Sequence, residues 1–425
     1  MNTSEEKDSL FVNRGVTEIV IEAMATARVV AVLGARQAGK STLVRKLAKD
    51  SLGADYLTLD DASVRFLALN DPTGFVAGLH RPTVIDEVQR APELLLAIKS
   101  RVDRDDSRGQ FLLTGSANLR RIPTVADALP GRIDYVTLWP FTQGELRGRP
   151  EHFLSQCFAG EIPELVDQAV GRDAYAGLIL QGGFPESRFR GSVARSRFFD
   201  SYVTSVVERD VVETARVHTP AAVGTLLRLL AARSGSLARY DALARDLTLD
   251  GKTAKAYIDV LERLFLVRIR QSWHVNLGQR QIKAPKLYVA DSGLLAGLIG
   301  LDAKALRDDD GLAGSLFETF VATELERQAS WSPEPLSFWH YREGDHEVDV
   351  IVERPSGEIL GIEVKASATV RPRDARGLKR VRERVGKRMV AGLVLYAGER
   401  TLSLGEGLWA LPLSALWSAP NPSPS

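Results

Sequence analysis

The octapeptide Gly34-Ala35-Arg36-Gln37-Ala38-Gly39-Lys40-Ser41 stands between an apolar run, Arg28–Leu33 (RVVAVL), and a helical pattern through Leu43, Val44, Leu47 and Ala48. Strand, glycine-rich turn and helix in that order make a phosphate cradle. The glycines let successive backbone N–H groups curl around phosphate oxygens, and the following helix turns its positive end towards them. Lys40 is placed to reach the β- and γ-phosphates and the Ser41 hydroxyl to ligate Mg²⁺. The expected nucleotide contacts are therefore Gly34, Ala35, Arg36, Gln37, Ala38, Gly39, Lys40, Ser41 and Thr42, with ATP and Mg²⁺ as cofactors.

A cradle of this kind needs a sheet behind it. Strand-like runs recur at Tyr56–Leu59, Thr83–Ile85, Gln110–Thr114 and Asp134–Leu138, with helical segments such as Pro92–Val102 between them. That alternation predicts a parallel sheet with helices on both faces. Val84-Ile85-Asp86-Glu87 ends one run, and Asp86 comes 46 residues after Lys40. Asp86 suits a Mg²⁺-side carboxylate and Glu87 a general base that polarises water. Taken alone, the same acidic pair also reads as a helix N-cap. A further strand closes in Thr114-Gly115-Ser116-Ala117, where either Thr114 or Ser116 can supply a hydroxyl beside the carboxylates.

The chain has 425 residues, 44% apolar and 26% charged, enough for about three domains with real cores. Pattern divides it at 1–165, 166–290 and 291–425. The single Cys157 excludes an internal disulfide and points to a reducing, cytoplasmic setting. The six histidines lack zinc-type spacing, no membrane span is visible, and the polar, acidic N-terminus is unlike a signal peptide. A net charge of +1 gives no bulk attraction to nucleic acid, so any such contact must be local.

The middle is mostly helical. Leu226, Leu227, Leu229 and Leu230 share one helix, Leu243, Ala244 and Leu247 a second, and Tyr257, Ile258, Leu261 and Leu264 a third. Followed by alternating Val267 and Ile269, they resemble a winged helix-turn-helix whose third helix offers Lys252, Thr253, Lys255 and Tyr257 to DNA. From about 311 the order is a helix (Leu312–Ala329), three strands, a basic helix and a last strand, Gly392–Tyr396. His346–Val352 and Ile359–Lys365 pair across the turn Pro355-Ser356-Gly357-Glu358. Period 2 puts Glu363 and Lys365 on one face, with Asp349 able to lie beside them. Two such carboxylates can hold Mg²⁺, the lysine can orient water against a phosphodiester, and Glu318 can complete the site. This resembles the PD-(D/E)xK nuclease fold; ordinary salt bridges on a retained fold are the alternative.

VVAVLGARQAGKSTLVRKL, VIDEVQRAPELLLAIKSRVD, FLLTGSA and LPGRIDYVTLWPFTQGEL, with QGGFPE, the Tyr202–Asp210 stretch and PKLYVADSGLL, resemble a family of bacterial and archaeal AAA-type ATP-binding proteins with a C-terminal domain of unknown function. The resemblance implies an α/β chain: an AAA-type P-loop ATPase core, a helical, winged-helix middle and a restriction-endonuclease-like C-terminal domain. It also implies that Arg132 occupies the place of an arginine acting on the γ-phosphate of a neighbour, with Arg120 and Arg121 as competitors.

Arg371–Arg388 gathers nine basic residues against Asp374 and Glu383, a net of +7 beside the nuclease-like strands. DNA is thus the expected partner, through this patch and the Lys252–Tyr257 helix. A protein partner and a second copy of the chain are further candidates. The sequence supports two functions: a Mg²⁺-dependent ATPase that drives the later modules on DNA, and a nucleotide-dependent switch whose C-terminal fold is catalytically silent.

Overall fold

The computed structural model describes residues 11–116, 131–163, 170–211, 219–276, 280 and 283–418. Helix α1 (Thr17–Thr26) leads into strand β1 (Val29–Leu33), and α2 (Lys40–Leu47) leaves the cradle. Then come β2 (Asp55–Thr58), α3 (Ala62–Asn70), α4 (Pro72–Ala77), β3 (Thr83–Asp86), α5 (Leu94–Val102), β4 (Phe111–Gly115) and β5 (Ile133–Thr137). All five strands are parallel, in the order β2-β3-β4-β1-β5. Val29, Ala31 and Leu33 pack into one core and Val30 and Val32 into another. Strand β1 is therefore apolar at every position because helices cover both of its faces. In such a sheet the ligand crevice lies beyond the carboxyl ends of the strands. The cradle, Asp86–Glu87 and Thr114–Ser116 all fall there.

Helices α6 (Gln143–Arg147), α7 (Phe153–Phe158), α8 (Arg172–Gln181) and α9 (Ser192–Ser205) connect this sheet to the middle region. There α10 (Pro220–Ala232), β6 (Ser236–Leu237), α11 (Tyr240–Asp246), α12 (Gly251–Arg263), β7 (Val267–Arg270) and β8 (Lys286–Val289) form a helical cluster with a sheet ordered β6-β8-β7. Asp250 caps α12 by accepting from the Thr253 backbone N–H at 2.9 Å. Ala254, Tyr257, Ile258 and Leu261 are its buried face. Tyr257, expected to face DNA, is instead a core residue, because the 3–4 spacing that makes the helix amphipathic carries it inward.

Helices α13 (Ser292–Leu298), α14 (Ala303–Asp308) and α15 (Asp310–Ala329) lead into β9 (Ser337–Glu343), β10 (His346–Glu353) and β11 (Ile359–Lys365). After α16 (Arg376–Val385) follow β12 (Met389–Tyr396), β13 (Leu402–Gly405) and β14 (Leu408–Pro412). The sheet order is β13-β14-β12-β11-β10-β9. Strands β13 and β14 lie beyond Tyr396, where the last strand predicted from the sequence ends. Strand β13 is largely solvent-facing and so carries no apolar run to betray it. The arrangement is an α/β chain with a five-stranded parallel core and helical and strand-rich regions after it. No helix among the described residues is long and apolar enough to cross a membrane. Ala117, Arg120, Arg121 and the tail after Ser418 lie outside the described residues.

Candidate functional site

The cradle is fixed by sterics. A Cβ on Gly34 would stand 2.1 Å from the Leu138 carbonyl oxygen, and Gly39 has φ 98°, which L side chains rarely adopt. Ala35, Ala38 and Lys40 are buried, while Arg36, Gln37, Ser41 and Thr42 line the partly open side. Lys40 Nζ donates to the carbonyls of Gly34 at 3.0 Å and Ala35 at 2.9 Å. Burial holds its pKa below the usual lysine value, opposed by the nearby carboxylates of Glu87, Asp86 and Asp210.

Asp86 is surrounded by hydroxyls. The Ser41 hydroxyl donates to its Oδ1 at 3.1 Å, the Tyr56 phenol donates to Oδ2 at 2.7 Å, and Thr114 donates to Oδ1 as well. Burial, then the bond to Asp86, pushes the Tyr56 phenol up to about 12. Adjacent oxygens around octahedral Mg²⁺ lie about 2.9 Å apart. The Ser41 and Asp86 oxygens fit that spacing. Glu87 has φ 61°, a strained value for a residue other than glycine. Its backbone N–H donates to Thr114 Oγ1 at 2.9 Å, and its carboxylate accepts from Gln89, which also donates to Ser116 Oγ at 2.9 Å. Of the two hydroxyls left open by the sequence, Thr114 meets the Asp86 carboxylate and the Glu87 backbone, and Ser116 is linked to the Glu87 carboxylate through Gln89.

Residues without a motif complete the surroundings. Arg36 pairs with Asp210 at 2.7 Å, and the Tyr202 hydroxyl donates to the Arg36 carbonyl at 3.2 Å. Arg14 donates to Ala38 O and to Glu145 Oε1, each at 3.0 Å, tying the cradle to the chain around α6. Beside Gly39 and Thr42 lies a cavity of 140 Å³ walled by Phe11, Val12, Leu43 and Pro185. Arg132 is elsewhere. It precedes β5, its carbonyl accepts from Val29 N at the start of β1, and its side chain pairs with Asp103. The cradle opens at the other end of β1, about 16 Å away. Arg132 and the cradle of its own chain thus stand at opposite ends of β1.

The C-terminal carboxylates do converge. Asp349 Oδ2 accepts from Val364 N at 2.9 Å, and Lys365 Nζ donates to Glu363 Oε1 at 2.6 Å. Glu318, from α15, faces the same 690 Å³ cavity as Asp349, Glu363 and Lys365. A feature absent from the sequence reading dominates this site. Lys286, on β8 of the middle region, places its Nζ 2.8 Å from Glu318, 2.7 Å from Glu347 and 3.2 Å from Asp349. Tyr288 donates to Glu318 at 2.6 Å. Burial, and then Asp349, raises the Glu318 carboxyl to about 7 despite the lysine, and burial likewise pushes Glu363 well above the carboxylate range. Among the described residues, no group of three or more His, Cys, Asp and Glu is arranged to hold a metal ion.

The basic patch is not one surface. Arg380 and Arg384 pair with Glu343, Arg382 donates to Gly407 O at 3.2 Å, and Arg388 donates to Gly357 O at 3.0 Å. Arg371 and Arg373 instead border a 470 Å³ cavity that shares Glu318, Asp349 and Lys365 with the larger one. Lys252 and Lys255 are exposed on α12.

Helix α15 reaches both regions. Glu324 accepts from Gln143 N at 3.0 Å, Arg327 donates to Phe141 O at 2.9 Å and to Asp291 at 2.8 Å, and Gln328 donates to Glu151 at 3.1 Å.

Comparison with known proteins agrees with the N-terminal geometry. Residues 26–147 match a family described as "AAA domain"; residues 172–305 and 313–416 match two domains of unknown function (DUF8612 and DUF4143). The uncharacterised proteins Rv2008c of Mycobacterium tuberculosis and Mb2031c of Mycobacterium bovis are 32% identical over 395 residues, covering 92% of this chain and 81% of theirs. Among solved structures, a variant of Thermotoga maritima RuvB shares 17% identity with a TM-score of 0.27, covering 63% of this chain and 89% of its own. A signal-transduction ATPase with numerous domains and a tetratricopeptide repeat sensor, from Pyrococcus horikoshii, shares 13% with a TM-score of 0.23, over 76% of this chain and 47% of its own. The chain belongs to the family of the mycobacterial proteins, and its N-terminal part is a nucleotide-binding, AAA-type ATPase domain.

Proposed function

We propose that the protein is a Mg²⁺-dependent ATPase whose nucleotide cycle acts through its later modules on DNA. The reading rests on one observation: the Ser41 hydroxyl and Asp86 carboxylate stand 3.1 Å apart below a glycine cradle that carries a buried lysine. In it, Lys40 leaves the loop carbonyls for the β- and γ-phosphate oxygens, and Ser41 and Asp86 hold Mg²⁺. Held by these two residues, the metal would supply positive charge to offset that developing on the γ-phosphoryl oxygens. Glu87 takes the proton of the attacking water, held in position by Gln89 and Thr114. The 140 Å³ cavity beside Thr42 suits the adenine ring. Arg132, at the far end of β1 from its own cradle, would meet a γ-phosphate in a neighbouring copy.

The functional units are 1–165, 166–290 and 291–425. Helices α10–α12 with β6–β8 support a winged-helix reading, in which exposed Lys252 and Lys255 face DNA phosphates. The convergence of Asp349, Glu363, Lys365 and Glu318 supports the nuclease-like reading of the last unit. ATP turnover measured with and without DNA at two salt concentrations tests the proposal. DNA stimulation that fades with salt is expected, and Lys40→Ala abolishes turnover. Turnover indifferent to DNA overturns the DNA part; undiminished turnover in Lys40→Ala overturns the site. A second reading, a nucleotide-dependent switch with a silent C-terminal fold, is favoured by the Lys286 ammonium lodged among the carboxylates. In that case DNA has no effect and Lys40→Ala abolishes binding of a protein partner.

A further inference from the structure

The nucleotide cradle is gripped from outside its own unit. Helix α9 (Ser192–Ser205) runs on into a π-helical turn, Val206–Val211, and these two elements bring Tyr202 and Asp210 to the loop. Wide turns of that kind are frequent at functional sites. The Tyr202 hydroxyl donates to the Arg36 carbonyl at 3.2 Å, which fixes the backbone at the third residue of the cradle. Phe184 and Phe199 pack edge-on against the Tyr202 ring and hold the phenol where it is. Asp210 is 5% exposed and accepts from Arg36 Nη1 at 2.7 Å. Arg36 and Lys40 are the two cations of the octapeptide, and Lys40 Nζ is bonded to the carbonyl of Ala35, next to Arg36. After burial and the Glu87 and Asp86 carboxylates, Asp210 and Arg36 are the charges that act on Lys40, so the three groups share one neighbourhood. Among the described residues the Arg36 guanidinium makes one hydrogen bond, through Nη1, and its side chain is 26% exposed on the open side of the cradle. A guanidinium carries five N–H donors in a planar fork, so most of them remain for a ligand.

We propose that Arg36 is the chain's own γ-phosphate arginine, and that Asp210 and Tyr202 are positioning residues with which the 166–290 unit aims it into the nucleotide site. The inference rests on the ATPase reading and deepens it. Backbone N–H groups of such a loop enclose the inner phosphates, so a cationic side chain on its open side meets the outermost one. An arginine of the same chain offsets charge on the γ-phosphoryl oxygens without a neighbouring copy. Held along one edge by Asp210, the fork loses little side-chain freedom when the nucleotide arrives. Asp210 alone would repel a polyphosphate, and Arg36 is the cation that lies between them. A contact confined to the γ-phosphate also separates ATP from ADP.

The test compares full-length wild type, Arg36→Ala, Asp210→Asn and the double variant. Calorimetry gives Kd for ADP and ATPγS in Mg²⁺, steady-state turnover gives kcat, and melting curves report folding. The double variant removes both charges together and so guards against misfolding around an unpaired buried carboxylate. Arg36→Ala is expected to lower kcat by about 10²-fold and to weaken ATPγS by about ten-fold, with Kd for ADP changed by less than about two-fold. Asp210→Asn should move kcat and ATPγS binding the same way by a smaller factor. The double variant should be no worse than Arg36→Ala, because Asp210 acts through the arginine. ADP and ATPγS weakened equally in folded Arg36 variants would mark a merely structural pair and overturn the proposal. Additive losses in the double variant overturn the positioning role of Asp210. A wild type that turns over ATP no faster than folded Arg36→Ala overturns this inference alone, whereas a wild type that neither binds nor hydrolyses ATP overturns the ATPase reading and this inference with it.

Discussion

The molecule contains two sites in which a lysine lies among carboxylates, and they are compensated in opposite ways. In the N-terminal site, Lys40 is bonded to neutral carbonyls and Asp86 to neutral hydroxyls from Ser41, Tyr56 and Thr114. Neither charge cancels the other, so both remain for an incoming nucleotide and its metal. In the C-terminal site, Lys286 and Lys365 are bonded directly to the carboxylates they neutralise. Proximity of opposite charges therefore does not identify a working site; what counts is whether hydrogen bonds leave the charges free for a ligand.

Breaking each site separately sharpens the contrast. The largest effect is expected from Lys40→Ala, which removes the only ammonium in the described cradle and should lower kcat/KM for ATP by about 10²-fold or more while leaving the melting temperature nearly unchanged. Lys286→Met should do the reverse. It leaves buried carboxylates without their cation and should cost about 3–5 kcal/mol of stability in denaturant titrations, with ATP turnover retained.

A smaller effect separates the sites by pH. The Glu318 carboxyl, at about 7, sits above its ordinary value, so the fold favours its protonated form. Its contribution is full below the ordinary carboxylate range and is lost as pH rises through about 7. Wild type should accordingly lose more melting temperature between acid and neutral pH than Glu318→Gln. Equal losses would remove Glu318 from the account. The smallest effect concerns the basic segment. If DNA binds at the C-terminal cavities, Arg371→Ala or Arg373→Ala each lowers the salt slope by about one. Arg384→Ala, whose charge is spent on Glu343, leaves the slope unchanged.

These differences also explain what the sequence made legible. The cradle is built from backbone, and the residues that shape it are contiguous, so Gly34, Gly39, Lys40 and Ser41 are readable as a string. Asp86 and Glu87 are readable because they end an apolar strand. Asp349, Glu363 and Lys365 follow from strand period and one turn. Lys286 stands 63 residues before Asp349, in a strand of another region, and nothing about a lysine opening a strand announces its partners. Arg14, 131 residues from Glu145, and Tyr56, 30 from Asp86, are single residues brought in by packing alone. The basic run from Arg371 was visible as composition, but its division between Glu343 and the cavity depends on which way α16 faces.

Helix α15 gives the arrangement a mechanical consequence. Its last turns are fastened through Glu324, Arg327 and Gln328 to the stretch between β5 and α7, while Glu318, six residues earlier, holds Lys286. Six residues of α-helix span about 9 Å, so the segment is a short lever pivoting on the nucleotide-binding half. A tilt of about 10° at that pivot carries Glu318 through roughly 1.6 Å, enough to break a hydrogen bond. A modest rearrangement near α6 therefore suffices to loosen the grip on Lys286, without unfolding any part of the chain.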